Sequence, residues 1–175
     1  MIARIFLVRI LAFLRGTLGA VGKQAPAWLL ICTTAVSGFE GLRLIAYRDP
    51  VGIPTNCFGN TIGVKMGDRA TPAECADLLR AQLIAFDAGL ARCYPGLVQQ
   101  PDRRRAALVS WAYNVGLGAA CSSTLIRLAK AGEIAAACDQ LPRWNKATKA
   151  GVRVVLPGLT KRRAEERLLC REGLA

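Results

Sequence analysis

The sequence predicts an α+β, mainly helical fold with an N-terminal apolar helix ahead of it. Three features support this prediction. Residues 2–36 are apolar and contain no acid. Residues 44–63 are punctuated by glycine and proline, which is typical of turns and short strands. Beyond residue 70, apolar residues recur at helical spacing. A length of 175 residues fits one domain plus an appendage.

Residues 1–37 are predicted to form an N-terminal signal anchor, and residues 38–175 the domain that follows. The leader carries its positive charges early, as signal anchors and secretory signals do. It is a poor permanent span, because Arg9 and Arg15 would each cost about 2.5–3.5 kcal/mol at the centre of a bilayer helix. We therefore favour an anchor that later releases the domain. A cleaved signal peptide and an interfacial helix are the alternatives.

The helices of the domain are predicted from their caps and their apolar spacing. Thr71 and Glu74 form a capping box, and Pro72 occupies the first helical position, where its missing N–H costs nothing. Asp102 and Thr160 are predicted to cap two further helices. One small β region, within residues 44–63, and a Lys- and Gly-rich loop before the last helix complete the domain. The predicted helices cover residues 35–42, 71–93, 102–116, 123–131, 133–141 and 160–172.

The charge balance narrows the classes of partner. A net charge of +12 favours a polyanionic partner such as nucleic acid, anionic lipid or an acidic cell wall. The basic residues are spread through the chain, so they are only a weak signal of nucleic-acid binding. The chain has no histidine, and acid–base chemistry must therefore fall to other groups, carboxylates first.

The best candidates for such chemistry are Glu40, Asp49 and Thr55. A carboxylate at a helix end and an aspartate before proline are ordinarily structural. Here the intervening segment can fold back so that Glu40 faces Asp49, with Thr55 near a water or the Asp49 carboxylate. Hydrolysis of a glycosidic bond needs one carboxyl group to protonate the leaving oxygen and a second group to handle water or the sugar cation.

With this spacing, the chain resembles the phage-type lysozymes of glycoside hydrolase family 24, in particular the membrane-tethered endolysins of lambdoid phages. Glu40, Asp49 and Thr55 match the family pattern without a gap. Asn60 departs from it, because relatives often have histidine there. The resemblance covers residues 38–175 and is carried by Phe39-Glu40-Gly41-Leu42-Arg43, Ala46-Tyr47-Arg48-Asp49, Thr71-Pro72-Ala73-Glu74-Cys75, Trp111-Ala112-Tyr113-Asn114-Val115-Gly116, Ser122-Ser123-Thr124-Leu125 and Pro157-Gly158-Leu159-Thr160-Lys161-Arg162-Arg163-Ala164-Glu165-Glu166.

The resemblance implies a lysozyme-like fold and a muramidase that hydrolyses the β-1,4 bond between N-acetylmuramic acid and N-acetylglucosamine of peptidoglycan, lysing the host. Glu40 would be the general acid, in a partly apolar setting, and Asp49 with Thr55 would hold the water of an inverting reaction. Asn114, by default a helix-end residue, would line the cleft. Arg162 and Arg163 are expected to be solvated or paired with Glu165 and Glu166, without a catalytic role.

The predicted partners are peptidoglycan glycan strands and, through the leader, the inner membrane at its periplasmic face, followed by release into the periplasm. We expect no metal, no organic cofactor, no nucleic acid and a monomer. Two alternatives stay open. A lytic transglycosylase would tolerate Asp49→Asn, and a non-enzymatic cationic membrane- or nucleic-acid-binding protein would be indifferent to Glu40→Gln.

The seven cysteines favour disulfides in an oxidising compartment. Without histidine or a Cys-x-x-Cys pair, the sequence lacks the ligand patterns of zinc sites. Six cysteines allow fifteen pairings, so spacing alone does not choose between them. We expect Cys32 in the leader to be a small buried apolar residue. The alternative is a thiol that exchanges into a domain disulfide and switches activity on. The expected pairs join neighbouring elements: Cys57–Cys75, Cys93–Cys121 and Cys138–Cys170.

Overall fold

The computed structural model describes residues 25–49, 52–149, 151–172 and 174. The part of the predicted anchor in residues 1–24 lies outside them. The described elements, in chain order, are α1 (Ala27–Glu40), β1 (Arg43–Arg48), β2 (Pro54–Cys57), α2 (Pro72–Cys93), a 3₁₀ helix (Pro95–Gln99), α3 (Asp102–Val115), α4 (Leu117–Cys121), α5 (Thr124–Lys130), α6 (Ile134–Cys138), a second 3₁₀ helix (Leu141–Trp144), β3 (Lys146–Lys149), β4 (Val152–Val155) and α7 (Pro157–Arg171).

Helix α1 is longer than the predicted helix at residues 35–42, because it begins at residue 27. Its buried face includes Trp28, Leu29 and Val36, which pack in the main core with α2 and α3. Burying each such side chain stabilises the fold by about 1.5–3 kcal/mol. The predicted boundary between residues 37 and 38 falls inside this helix. None of the helices in the described ranges combines the length and the apolar character that a membrane crossing needs.

Helix α3 lies at the centre of the core. Most of its side chains are buried, with Trp111 fully so, and it packs against α1, α2, α4 and α7. The prediction that Asp102 caps this helix is wrong, because Asp102 is the first helical residue and makes no capping hydrogen bond. The helix ends at Gly116, whose φ of +85° is readily accessible to glycine. The last turn of α3 therefore reaches the surface at a fixed point.

Helix α2 follows its sequence signature closely. The Thr71 side chain accepts a hydrogen bond from the Glu74 N–H, the Glu74 carboxylate accepts one from the Thr71 N–H, and Pro72 is the first helical residue. The helix ends at Cys93, as predicted. This long element carries the side chains that form one wall of the cavity described below.

The structure has one hairpin that the sequence predicts and one that it does not. Strands β1 and β2 pair antiparallel in the predicted region, with a register irregularity between Arg43 and Tyr47. Strands β3 and β4 form a second antiparallel hairpin, in register from Lys146 opposite Val155. The prediction of a loop before the last helix is therefore wrong for β3 and β4. The run Val152–Val155 has the β-branched residues that favour strands.

The C-terminal helix α7 begins one turn before its predicted cap. Its first residue is Pro157, and the Thr160 hydroxyl donates instead to the Leu156 carbonyl oxygen (3.2 Å). The structure contains the three expected disulfides, and Cys138–Cys170 joins α6 to α7. Cys32 is a free thiol, fully buried in the core, and its burial raises its pKa to about 12.

Candidate active site

A cavity of about 430 Å³ opens where the ends of α1 and α3 meet the middle of α2 and the loop after β2. Its wall combines aromatic side chains with a few polar groups, as ligand-binding clefts usually do. One carboxylate, that of Glu40, stands among them. The lining residues are Glu40, Phe58, Gly59, Thr61, Ile62, Gln82, Ala85, Phe86, Tyr113 and Asn114.

Glu40 ends helix α1, and its side chain is 25% exposed. Its Oε1 accepts a hydrogen bond from Arg162 Nη1 at 2.5 Å. Its Oε2 lies 3.9 Å from the point where a side chain on Gly59 would place its Cβ. The carboxylate is thus held through one oxygen, while the other is directed towards the cavity wall formed by the loop after β2.

Arg162 is buried, and each of its three side-chain nitrogens donates one hydrogen bond. Its Nε donates to Glu166 Oε1 (3.1 Å) and its Nη2 to the Ser110 carbonyl oxygen (3.2 Å), while its Cζ lies 4.8 Å from the centroid of the Phe39 ring. Of the two expected alternatives, solvation or pairing with Glu165 and Glu166, the structure shows pairing with Glu166. A guanidinium fixed on three sides presents Nη1 to Glu40 in a defined direction.

Glu166 and Arg163 complete this buried charge cluster, and both are 0% exposed. Glu166 Oε1 accepts from the Ser110 hydroxyl (2.8 Å) and from Arg163 Nη2 (3.1 Å), as well as from Arg162. Arg163 Nε also lies 2.8 Å from Glu166 Oε2, an ion-pair contact without hydrogen-bond geometry. Burial raises the pKa of Glu166 and lowers that of Arg163 to about 10, because exclusion of water disfavours both charged forms.

Asn114 lies in the last turn of α3 and lines the cavity. Its Oδ1 accepts from Arg163 Nη2 (3.1 Å), while the end of the helix is closed by the backbone, Gly116 N–H to the Ala112 carbonyl oxygen. The default interpretation of a helix-capping side chain does not describe this geometry. The buried cluster therefore fixes two groups of the cavity wall, Glu40 and Asn114.

A second polar network supports the opposite wall, and sequence reasoning missed it. The Tyr113 hydroxyl lies within hydrogen-bond distance of the Phe58 carbonyl oxygen (3.1 Å) and Gln82 Oε1 (3.0 Å). Gln82 Nε2 in turn donates to Asn60 Oδ1 (3.0 Å). Burial, followed by the charge of Glu40, raises the pKa of Tyr113 to about 12, so the hydroxyl keeps its proton. Asn60, which departs from the family pattern, thus anchors the loop of the cavity.

Asp49 and Thr55 lie on the β1–β2 hairpin and are not among the described residues that line the cavity. Asp49 Oδ1 accepts from the Ile53 N–H (2.8 Å), and the backbone N–H of Asp49 donates to the Ile53 carbonyl oxygen (3.0 Å). The Thr55 hydroxyl, 3% exposed, also donates to that carbonyl oxygen (3.0 Å). Both side chains are thus held at Ile53, and strand β2 leads from this turn to the cavity loop.

Within the described ranges, no group of three or more His, Cys, Asp or Glu side chains is arranged to hold a metal ion. The polar side chains that line the cavity are the Glu40 carboxylate, the Tyr113 and Thr61 hydroxyls and the amides of Gln82 and Asn114. Glu40 is the one carboxyl group among them, so acid–base chemistry at this wall falls to it first.

Comparison with known proteins assigns this architecture. The family model of phage lysozyme matches residues 37–166. The chain belongs to the phage lysozyme family. It is 36% identical over 153 residues to the SAR-endolysin of Pseudomonas phage phiKMV, covering 83% of this chain and 89% of the relative. The endolysin of Escherichia coli O157:H7 phage FAHEc1 superposes with a TM-score of 0.73 at 31% identity, over 87% of this chain and 96% of that one.

A solved muramidase domain has the same architecture. The muramidase domain of SpmX from Asticaccaulis excentricus superposes with a TM-score of 0.70 at 30% identity, over 79% of this chain and 92% of that one. The predicted lysozyme-like fold and the predicted enzyme class, a glycoside hydrolase of the muramidase type, are confirmed.

Proposed function

We propose that this phage lysozyme cleaves the β-1,4 bond between N-acetylmuramic acid and N-acetylglucosamine, with Glu40 as its general acid. The observation that carries the proposal is the position of Glu40. Among the described residues that line the cavity, Glu40 carries the one carboxylate. The buried Arg162 holds one of its oxygens, and the other oxygen is directed towards the cavity wall. A fixed donor next to the leaving oxygen is what glycoside hydrolysis requires.

In the proposed reaction, Glu40 Oε2 donates its proton to the glycosidic oxygen as the bond from that oxygen to the anomeric carbon breaks. Asp49 and Thr55 orient a water on the opposite face of the sugar. Its oxygen forms the new bond to the anomeric carbon, and its proton passes to Asp49. This is an inverting reaction, for which the two carboxyl groups lie about 6.5–9.5 Å apart. The shared turn at Ile53 supports the pairing of Asp49 with Thr55.

Arg162 has a separate proposed role, because it does not itself transfer a proton. Its Nη1–H keeps Glu40 Oε1 in place before the transfer and stabilises the carboxylate that remains after it. The carboxylate therefore needs little reorientation during the reaction, which is the usual advantage of a preorganised site. This role makes Arg162 a positioning residue rather than the proton donor.

The N-terminal segment is proposed to act as a signal anchor that is released, which is what the name SAR-endolysin denotes for the phiKMV relative. The enzyme would then be held at the periplasmic face of the inner membrane and afterwards act in the periplasm as a monomer, without nucleic acid. A net charge of +12 favours its encounter with the acidic wall, and added salt should weaken that attraction.

The test compares Glu40→Gln, Asp49→Asn and a control, Glu165→Gln, whose carboxylate is exposed and outside the cavity. The released muropeptides are identified by mass spectrometry. We expect reducing ends from the wild type, a loss of about 10²–10⁴-fold in rate for the first two variants, and none for the control. Anhydro products together with an active Asp49→Asn variant would instead show a lytic transglycosylase.

A further inference from the structure

One polar side chain of the cavity wall, that of Gln82, takes no part in the proposed proton transfer. Gln82 lies in the middle of helix α2, is half-buried, and lines the same cavity as Glu40. Within the described ranges its amide makes two hydrogen bonds, one with Asn60 in the loop after β2 and one with Tyr113 in α3. The amide therefore belongs to the cavity wall and is held by two neighbouring parts of the fold.

These contacts determine which end of the Gln82 amide carries the oxygen. Asn60 Oδ1 accepts from the Ile62 N–H (3.2 Å), so it is an acceptor, and the Gln82 atom that meets it is the donor Nε2 (3.0 Å). Gln82 Oε1 then lies next to the Tyr113 hydroxyl (3.0 Å), which shares its proton between Oε1 and the Phe58 carbonyl oxygen (3.1 Å). Turning the amide by 180° would bring two oxygens together at Asn60, where neither can donate. The amide therefore has one favoured orientation.

This orientation leaves part of the Gln82 amide unused. A primary amide has two N–H donors and two acceptor positions on its oxygen, and the contacts within the described ranges occupy one of each. The second Nε2–H of Gln82 is therefore available to an acceptor in the cavity. Because the protein already fixes this donor, a ligand that accepts from it loses little of its binding free energy to ordering the side chain.

The side chains that adjoin Gln82 on α2 are apolar. Ala85 and Phe86 follow it by three and four residues, which places them on the same face of the helix, and both line the cavity. The Phe86 ring packs edge-on against the Tyr113 ring, with centroids 5.2 Å apart, so its position is fixed as well. The wall thus combines an oriented N–H donor with an apolar surface. A carbonyl group that carries a methyl group matches both parts, whereas a hydroxyl group has no apolar part.

We propose that Gln82 is a specificity-determining residue, which binds the acetamido group of an N-acetylated sugar in the cavity. The inference rests on the proposed function, because it concerns the sugars of the same substrate. The acetamido carbonyl oxygen accepts from the second Nε2–H of Gln82, and the acetamido methyl group contacts Ala85 and Phe86. Tyr113 acts through Gln82 as a positioning residue, because its hydroxyl holds the amide in this orientation. Strands that have lost their N-acetyl groups are therefore poor substrates.

The first experiment measures the preference for acetylated substrate, which is kcat/KM on peptidoglycan strands divided by kcat/KM on the same strands after enzymatic removal of their N-acetyl groups. Gln82→Met keeps the length of the side chain without the amide. Gln99→Met is the matched control, because Gln99 is exposed and outside the cavity. Both replacements are neutral, so the positive charge of deacetylated strands affects all the enzymes alike.

We expect Gln82→Met to lower this preference about 10-fold, through the loss of one hydrogen bond and of the ordered methyl contact, and the control to keep it. Tyr113→Phe keeps the ring and should lower the preference in the same direction, so it carries the test if Gln82→Met does not fold. An unchanged preference in the folded variants would overturn the proposal, even if their rates fall, because Gln82 would then only support the wall. An equal change in Gln99→Met would also overturn it.

The second experiment measures binding without catalysis. The full chain with Glu40→Gln is titrated with the β-1,4-linked tetramer of N-acetylglucosamine and with cellotetraose, which is also neutral and has a hydroxyl in place of each acetamido group. We expect the N-acetylated tetramer to bind at least about 10-fold more tightly, and Gln82→Met added to Glu40→Gln to remove most of this difference. Equal binding of the two tetramers, or a difference that survives Gln82→Met, would overturn the proposal. A wild type that cleaves no strand would refute the proposed function, whereas the titration would still decide on Gln82.

Discussion

Replacing Glu166 by glutamine should damage both the stability and the activity of the enzyme. The substitution keeps the shape of the side chain but removes the buried negative charge between Arg162 and Arg163. Arg162 retains Glu40 as an ionic partner, whereas Arg163 is left with only neutral acceptors, the Asn114 oxygen and the amide oxygen of the substituted side chain. A positive charge that is 0% exposed then lacks compensation.

The magnitude follows from this burial. Removing one partner of a buried ion pair usually costs about 3–5 kcal/mol, a large part of a typical folding free energy of about 5–15 kcal/mol. For a chain of this size each kcal/mol lowers Tm by about 2–4 °C, so a drop of roughly 6–20 °C is expected. The hydrogen bond that fixes Arg162 Nε also weakens, and a loss of about 1.4 kcal/mol in the orientation of Glu40 would lower kcat about tenfold.

The assay pairs thermal unfolding, followed by circular dichroism, with turnover measured well below the lowered Tm. Glu165→Gln is the matched control, because this neighbouring carboxylate is exposed and the same atoms change. The control should stay within about 0.5 kcal/mol of the wild type. If Glu166→Gln melts together with the control and keeps its kcat, the buried cluster neither stabilises the fold nor positions Glu40, and the reasoning fails.

Three further predictions concern the scaffold. Burial raises the pKa of Cys32 to about 12, so the folded chain keeps a proton that the unfolded chain loses above about pH 9. The stability that the protonated thiol contributes is therefore complete below pH 9 and disappears as the pH rises towards 12. The urea midpoint of Cys32→Ala should therefore fall less between pH 8 and 10 than that of the wild type, and equal falls would contradict the burial. Gly89→Ala should lower the free energy of unfolding in urea by about 1–3 kcal/mol, because the new Cβ would lie 2.3 Å from Leu117 Cδ1. Gly38→Ala, in helix α1, meets nothing within 4 Å and should raise that free energy by about 0.5–1 kcal/mol. Similar changes at both sites would refute this prediction. Thr71→Ala should cost about 1 kcal/mol by removing the cap of α2, and an unchanged urea midpoint would show that the cap is dispensable.

The sequence predicts a helix boundary well where neighbouring residues alone determine it. The capping box at Thr71 and Pro72 located the start of α2 to the residue, because those groups satisfy the free N–H groups of the first turn themselves. The caps assigned to Asp102 and Thr160 are wrong. Pro101 precedes α3, so Asp102 is already its first helical residue, and α7 begins at Pro157, three residues before Thr160. A short polar side chain near a helix start is therefore a weaker marker than a reciprocal pair.

The candidate site could be predicted only in part, because its electrostatics depend on contacts between distant parts of the chain. The spacing from Glu40 indicated a carboxylate for acid chemistry. Its partner Arg162 lies 122 residues further on, and the Ser110 hydroxyl that supports Glu166 lies on a third element. In the sequence alone, Arg162 and Arg163 read as an exposed charged run at the start of a helix. Only the packing of α7 against α3 turns them into a buried cluster.

Helix α1 shows why hydropathy misplaced the start of the first helix. A segment that is apolar on most sides suits a leader and a protein core equally well, and hydropathy does not separate the two. The difference lies in contacts that a hydropathy scale does not weigh. Arg105 is held by both oxygens of Asp87 (2.8 and 2.6 Å), and its Cζ lies 4.6 Å from the centroid of the Trp28 ring, a cation–π contact between α3 and the first turn of α1. This contact fixes the start of α1 and Arg162 fixes its end, so Glu40 is positioned from both ends of one helix.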